Sequence, residues 1–293
     1  LRHPRARALA TSFAAQWLQL RNLDRSAPDS ASGAPDSPTL RDSMREETLR
    51  LFEYVLREDR NLWELLDADY TFVNEELAQH YGLEGVEGAE FRRVSLSRTP
   101  RRGVLGHASV LTVTSTPTRT APVKRGKFVL ENVLGQPLPP PPPGVGSLEE
   151  SPEALRAASL RERLAVHRAA PTCAACHSSM DPLGFALENF DAVGRWRTEV
   201  NGYPVDASGS LPDGRSFSGM LELVRTLRGD DAFLRCLAEK LLIYALGRAP
   251  APGDAAGLAA IVAQLDPEHP TLGSLMLAII ESPLFLQRTV VRR

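Results

Sequence analysis

The sequence predicts a mainly α-helical fold in three parts, and three observations predict it. Apolar residues recur at helical spacing near both ends of the chain. Between Arg101 and Gly146 the character changes to β-branched and Pro-containing stretches. An almost pure proline run at 139–143, preceded by Pro137, then supplies a rigid polyproline II boundary. The parts expected are an N-terminal helical domain over 1–101, an irregular Pro-rich middle module over 102–146 and a C-terminal helical domain over 147–293.

In the first part, Leu9, Phe13, Trp17 and Leu20 recur at spacings of four, four and three, which predicts a helix over 4–23. Residues 26–38, rich in Asp, Ser, Pro and Ala, read as a solvated loop. Ser37 and Pro38 are a cap and a first-turn proline, opening a helix with Leu40, Met44, Leu51, Phe52 and Val55 along one side. Asn74 caps a short helix ending at Tyr81 and closed by Gly82.

In the middle module, Val110, Thr112, Val113 and Thr114 favour extended chain. Residues 117–127 read as a polar turn, with Lys124, Arg125 and Lys127 beside Arg119 forming a small solvated basic patch.

In the last part, Ser159 and Glu162 form a capping box, and Leu160, Leu164 and His167 share one helix face. Asp181-Pro182 reads as another cap and first turn, leading through Phe185 and Phe190 to Gly194. Residues 202–218 predict turns or a small hairpin. Three helices finish the chain: 230–246, ended by Gly247, then about 254–265 and 272–286.

At 293 residues, 43% hydrophobic and 24% charged, the chain is long enough to bury a core. Its net charge of -2 gives no general pull toward nucleic acid or anionic membrane. No apolar run approaches the ~18 residues that a membrane helix requires. The start at Leu1-Arg2-His3-Pro4 reads as part of something longer. Three cysteines, two of them close together, argue against a disulfide framework and for a dedicated use of the pair.

That pair lies in Thr172-Cys173-Ala174-Ala175-Cys176-His177. Haem c attachment needs two thiols that reach the two vinyl groups on one porphyrin edge, and an imidazole beneath the iron. On a helical turn, positions i, i+3 and i+4 share one side. Cys-x-x-Cys-His supplies that geometry, with Cys173 and Cys176 as thioether positions and His177 as iron ligand. A thioredoxin-like thiol pair wants a βαβ context that the sequence lacks. A structural zinc site needs a fourth ligand, for which His167 is the available candidate.

The stretch LAVHRAAPTCAACHSSMDPLGFALENFDAVGRWR, residues 164–197, resembles the haem-binding segment of planctomycete-type cytochrome c proteins, large secreted bacterial proteins built from domains of unknown function. DYTFVNEELAQHYGL near Tyr70, TSTPTRTAPVKRGKFVLENVLGQPLPPPPPGV, VDASGSLPDGRSFSG and LLIYALGR resemble the flanking modules, so the resemblance spans nearly the whole chain and leaves out the family's N-terminal part. The resemblance implies export, one covalent haem c and a cytochrome c-like C-terminal domain.

The second iron ligand is open at this stage. Met180, three residues after His177, cannot reach the opposite haem face. Met220, at a loop-to-helix junction, is the leading candidate, with core packing as its alternative. Met276 sits among Leu275, Leu277 and Ile279 and reads as packing; His107 reads as a surface histidine and an outside candidate. His167 is expected to pack beside the haem or bond a propionate. Arg195, Trp196 and Arg197 are candidates for the propionates or ring edge, or for neutralising a helix C-terminus. Asp206 and Asp213 lack calcium-loop spacing and read as turn residues. These features predict a single-haem electron-transfer module of the bacterial envelope, acting with a redox partner protein in the periplasm or at the cell surface. Two rivals are chemistry at an open distal position and a scaffold with a structural haem.

Overall fold

Local capping chemistry sets where several helices begin. The computed structural model describes residues 3–29, 34–140, 159–168, 171–228 and 231–287, without the side chains of His167 and Pro252; residues 141–143 of the proline run also lie outside this set. The Ser37 hydroxyl accepts from the Leu40 amide at 2.9 Å and opens the helix Pro38–Arg57. Asn74 accepts from the Leu77 amide at 3.1 Å, and Gly82, at φ 70°, closes the helix Glu75–Tyr81. Ser159 and Glu162 form the reciprocal capping box of the helix Leu160–His167. Each of these starts falls where the sequence places it, because a cap and its partner lie within one turn.

Among the described residues, the fold is mainly helical, with small antiparallel two-stranded sheets only. Residues 4–17 are continuously helical, a break at Gln19 (φ 58°) follows, and a tight 3-10 segment, Leu20–Ser26, completes the predicted first helix. Tyr70–Val73 pairs with Arg92–Ser95, and the expected hairpin forms from Ser208–Ser210 and Ser216–Ser218. Helices Ala232–Leu246, Ala255–Val262 and Leu272–Glu281 fall on the three terminal patterns, with Gly247 in the left-handed conformation ending the first. The second is shorter than expected, and the third breaks at the extended Ser282, after which Pro283–Leu286 forms a separate turn of helix.

One apolar cluster draws on the whole chain, from Phe13 and Phe52 through Val129 and Leu183 to Phe233 and Ile279. The Trp17 indole donates to the Asn132 carbonyl at 2.8 Å, a polar tie inside that cluster. Among the described residues, no helix is long and apolar enough to cross a membrane.

Two segments depart from expectation. Val110, Thr112 and Val113 lie in a helix, Ala108–Val113, instead of extended chain. Ala108 to Thr112 are all buried there, and β-propensity is too weak to resist such packing. The hydroxyls of Thr114 and Ser115 donate back to the carbonyls of Val110 and Leu111, at 2.7 and 2.8 Å, and finish the last turn. The supposed basic turn is likewise a helix, Pro122–Phe128, continued by a wide turn over Val129–Val133. Arg125 is no surface cation: it is fully buried.

Candidate haem-attachment site

Cys173, Cys176 and His177 lie on one helix, Pro171–Phe185, whose first-turn proline suits the entry. Spacings of three and four put both sulfurs and the imidazole on one side of it. Both cysteines are unpaired and partly exposed, and the His177 side chain is 16% exposed. The helix does not restart at Asp181-Pro182, as the sequence suggests. It runs through Pro182, and Asp181 serves no cap: its carboxylate accepts a hydrogen bond from His177 Nδ1 at 2.9 Å. Asp181 is completely buried; its Oδ2 accepts no hydrogen bond and lies 3.7 Å from Arg168 Nε.

Why the helix continues past Pro182 is a matter of packing. Gly184 presses on the Pro122 carbonyl, and Gly126 on the Met180 carbonyl. The helices Pro171–Phe185 and Pro122–Phe128 thus cross backbone to backbone, with a four-residue interval on each partner. A methyl at either glycine would sit inside the neighbour's carbonyl oxygen. This close approach holds the C-terminal half of the motif helix in place despite the backbone donor that Pro182 lacks.

The loop after the helix is fixed by arginines. Arg125 donates to the carbonyls of Leu187, Phe190 and Asp191 at 2.7 Å each, and pairs with Glu188 at 3.0 Å. Burial lowers its affinity for a proton, Glu188 opposes that, and the nearby Arg197 adds to the lowering. Arg197, one of the propionate candidates, instead reaches Glu188 Oε2 at 2.9 Å, where the Thr120 hydroxyl also donates at 2.6 Å. Arg195 and Trp196 are exposed on the surface turn beyond; the Trp196 ring meets Phe190 edge-on at 5.3 Å. Arg101 stacks on Tyr81 at 3.6 Å and donates to the Gly194 carbonyl at 2.7 Å.

Met220 is 3% exposed and belongs to the apolar core, with its sulfur and terminal methyl packed toward Gly106. His107, expected at the surface, is fully buried. Its Nδ1 meets the Thr48 hydroxyl at 2.9 Å, and Nε2 lies 3.8 Å from Glu47. Glu47 is fully buried as well and accepts from the hydroxyls of Thr71 and Tyr81 at 2.6 Å each. Desolvation pushes its pKa up to about 7, and desolvation together with Arg101 holds His107 down to about 3. Burial first, and Arg101 second, make His107 a neutral core residue.

The third cysteine, Cys236, is buried and its thiol donates to the Asn132 carbonyl at 3.3 Å. Burial raises its pKa to about 11. Among the described residues, no group of three or more His, Cys, Asp and Glu converges as a metal-binding set. Two thiols and an imidazole at this spacing are the donor types that covalent haem c attachment uses. The imidazole has its Nδ1 engaged by the Asp181 carboxylate.

Three segments of the chain match protein families of unknown function. Residues 1–83 match DUF1592, 101–200 match DUF1588 and 213–285 match DUF1585. These are the domains of planctomycete-type cytochrome c proteins. No curated protein and no solved structure matches the chain. The Cys173–His177 motif, Asp181, Arg125 and the arginine-bound loop all fall inside the DUF1588 match, and Met220 inside the DUF1585 match. The buried Glu47–His107 contact joins the segments matched by DUF1592 and DUF1588. Asp181 is the site residue that the sequence reading missed. Its signal was present, four residues after His177 on a helix, but the Asp-Pro dipeptide read as a cap.

Proposed function

We propose that this chain carries one haem c, bound through Cys173 and Cys176 with His177 as iron ligand, and passes electrons to or from a partner protein in the periplasm or at the cell surface. The observation that carries this reading is the partly exposed Cys173–Cys176–His177 face on a helix whose other end is locked into the core. When bound, the group supplies a one-electron couple. The chain's own part is to present two thiols on one side, to hold the imidazole by Nδ1 and to anchor the helix through Gly126 and Gly184. An exposed attachment face leaves a haem edge within reach of a partner's surface.

A second reading is chemistry at an open iron position, and the packing of Met220 favours keeping it in view. Its sulfur is occupied by core contacts beside Gly106. As second ligand, which the electron-transfer reading prefers, Met220 has to leave those contacts.

Production in a host with cytochrome c maturation machinery tests both. The expected product retains a pyridine-reactive chromophore on the denatured polypeptide and is reduced reversibly. Absence of bound chromophore overturns the proposal. Rapid carbon monoxide binding by the reduced protein selects the open-site reading, and refusal selects electron transfer with two protein ligands.

A further inference from the structure

We infer that Asp181 is a positioning residue for His177: its buried carboxylate fixes the imidazole's proton on Nδ1, aims Nε2 at the haem iron and holds the reduction potential down. The inference rests on the proposed haem attachment and names the regulation of that same site.

Three observations lead to it. The His177 Nδ1 to Asp181 Oδ1 distance is 2.9 Å, across one helical turn. A carboxylate accepts only, so the shared proton belongs to the imidazole and the tautomer is settled. Asp181 is also completely buried, although a buried carboxylate is costly unless partnered. Its other oxygen, Oδ2, accepts no hydrogen bond and has only a 3.7 Å approach from Arg168 Nε. The charge is therefore incompletely neutralised by the arginine and acts on the imidazole through the short contact. An imidazole bonded to a carboxylate is a stronger electron donor than one bonded to a neutral carbonyl, and a stronger donor stabilises the oxidised metal.

The position of Asp181 is itself specified. It lies between Met180 and Gly184, whose backbone takes part in the crossing with Pro122–Phe128. The carboxylate is thus set by the rigid end of the helix, and the imidazole by the exposed end. A solvated acid on a mobile side chain would exert a weaker, screened influence.

Two variants with opposite expected signs test the inference in the haem-loaded protein. Asp181→Asn keeps the shape and removes the charge. At a fixed applied potential near the midpoint, it is expected to raise the reduced-to-oxidised ratio by about tenfold or more. Arg168→Gln removes the cation facing Oδ2 and is expected to lower that ratio. The readout is a spectroscopic redox titration, which a purely structural role does not move in opposite directions. Unchanged midpoints in both variants, or shifts of the same sign, overturn the inference. If Asp181→Asn does not fold, Arg168→Gln decides alone: a lowered ratio supports the role of the carboxylate and any other result sinks it. Failure of the wild-type chain to retain covalent chromophore is a different result, because it removes the haem reading itself.

Discussion

The two halves of the helix Pro171–Phe185 obey different rules. From Met180 to Phe185 nearly every side chain is buried, and two glycines let a second helix touch the backbone directly. From Pro171 to Ser179 no side chain is fully buried, and this half holds both cysteines and His177. One half anchors and the other presents. The lesson is that side chains on a surface turn keep a fixed orientation when the same helix is clamped a turn further on. The His177–Asp181 hydrogen bond crosses the boundary between the halves and carries the rigidity of one into the other.

Removing both thiols tests the presenting half most severely. In Cys173→Ala/Cys176→Ala, covalent chromophore on the denatured chain is expected to vanish, while far-UV circular dichroism stays near wild type because neither side chain is part of the core. Collapse of the helical signal would break the division of labour between the halves.

The anchoring half should instead fail in stability. Arg125→Met leaves three backbone carbonyls and part of Glu188 without their buried donor. Loss of about 3–5 kcal/mol is expected in denaturant unfolding. A loss below about 1 kcal/mol would show that the loop does not depend on this guanidinium. Gly184→Ala should cost less, about 1–3 kcal/mol, by forcing the crossing helices apart. It should also reduce the yield of correctly loaded protein, since the displacement begins two turns from His177 on the same helix.

The smallest effect concerns pH, far from the motif. Glu47 titrates near 7 in the folded chain against an ordinary 4.5, so its contribution to stability is full below pH 4.5 and is lost as pH rises through 7. His107 is held near 3 against 6.5, so its contribution is present above pH 6.5 and is lost as pH falls toward 3. Between pH 4.5 and 6.5 the two slopes oppose each other, and wild-type stability should be nearly flat. Glu47→Gln should expose a rise with pH over that window, and His107→Gln a fall. Parallel profiles for the two variants in chemical denaturation would refute the assignment.

Much of the fold was legible because its signals are local. Ser37 with Pro38, Asn74 with Gly82, and Ser159 with Glu162 each complete a cap within four or five residues or pair a cap with its closing glycine. The attachment motif is equally local, five consecutive residues. What stayed hidden depends on partners distant in sequence. Arg125 reads as solvated until Leu187, Phe190 and Asp191 fold over it, more than 60 residues away. Val110 and Thr112 read as strand until burial overrides their preference. His107 looks like a surface residue until Glu47 and Thr48 arrive from the helix Pro38–Arg57. Asp181 is the instructive exception: its partner was four residues away, and a competing local rule concealed it.

Cys236 is secluded from the reagents that reach the other two thiols. Its sulfhydryl is shielded by the surrounding core and reluctant to ionise, with a pKa near 11, so it makes a poor nucleophile at neutral pH. An alkylating reagent added to the folded, unloaded chain should therefore label two sulfurs rapidly and the third only after unfolding. The same seclusion keeps Cys236 from exchanging disulfides with Cys173 and Cys176.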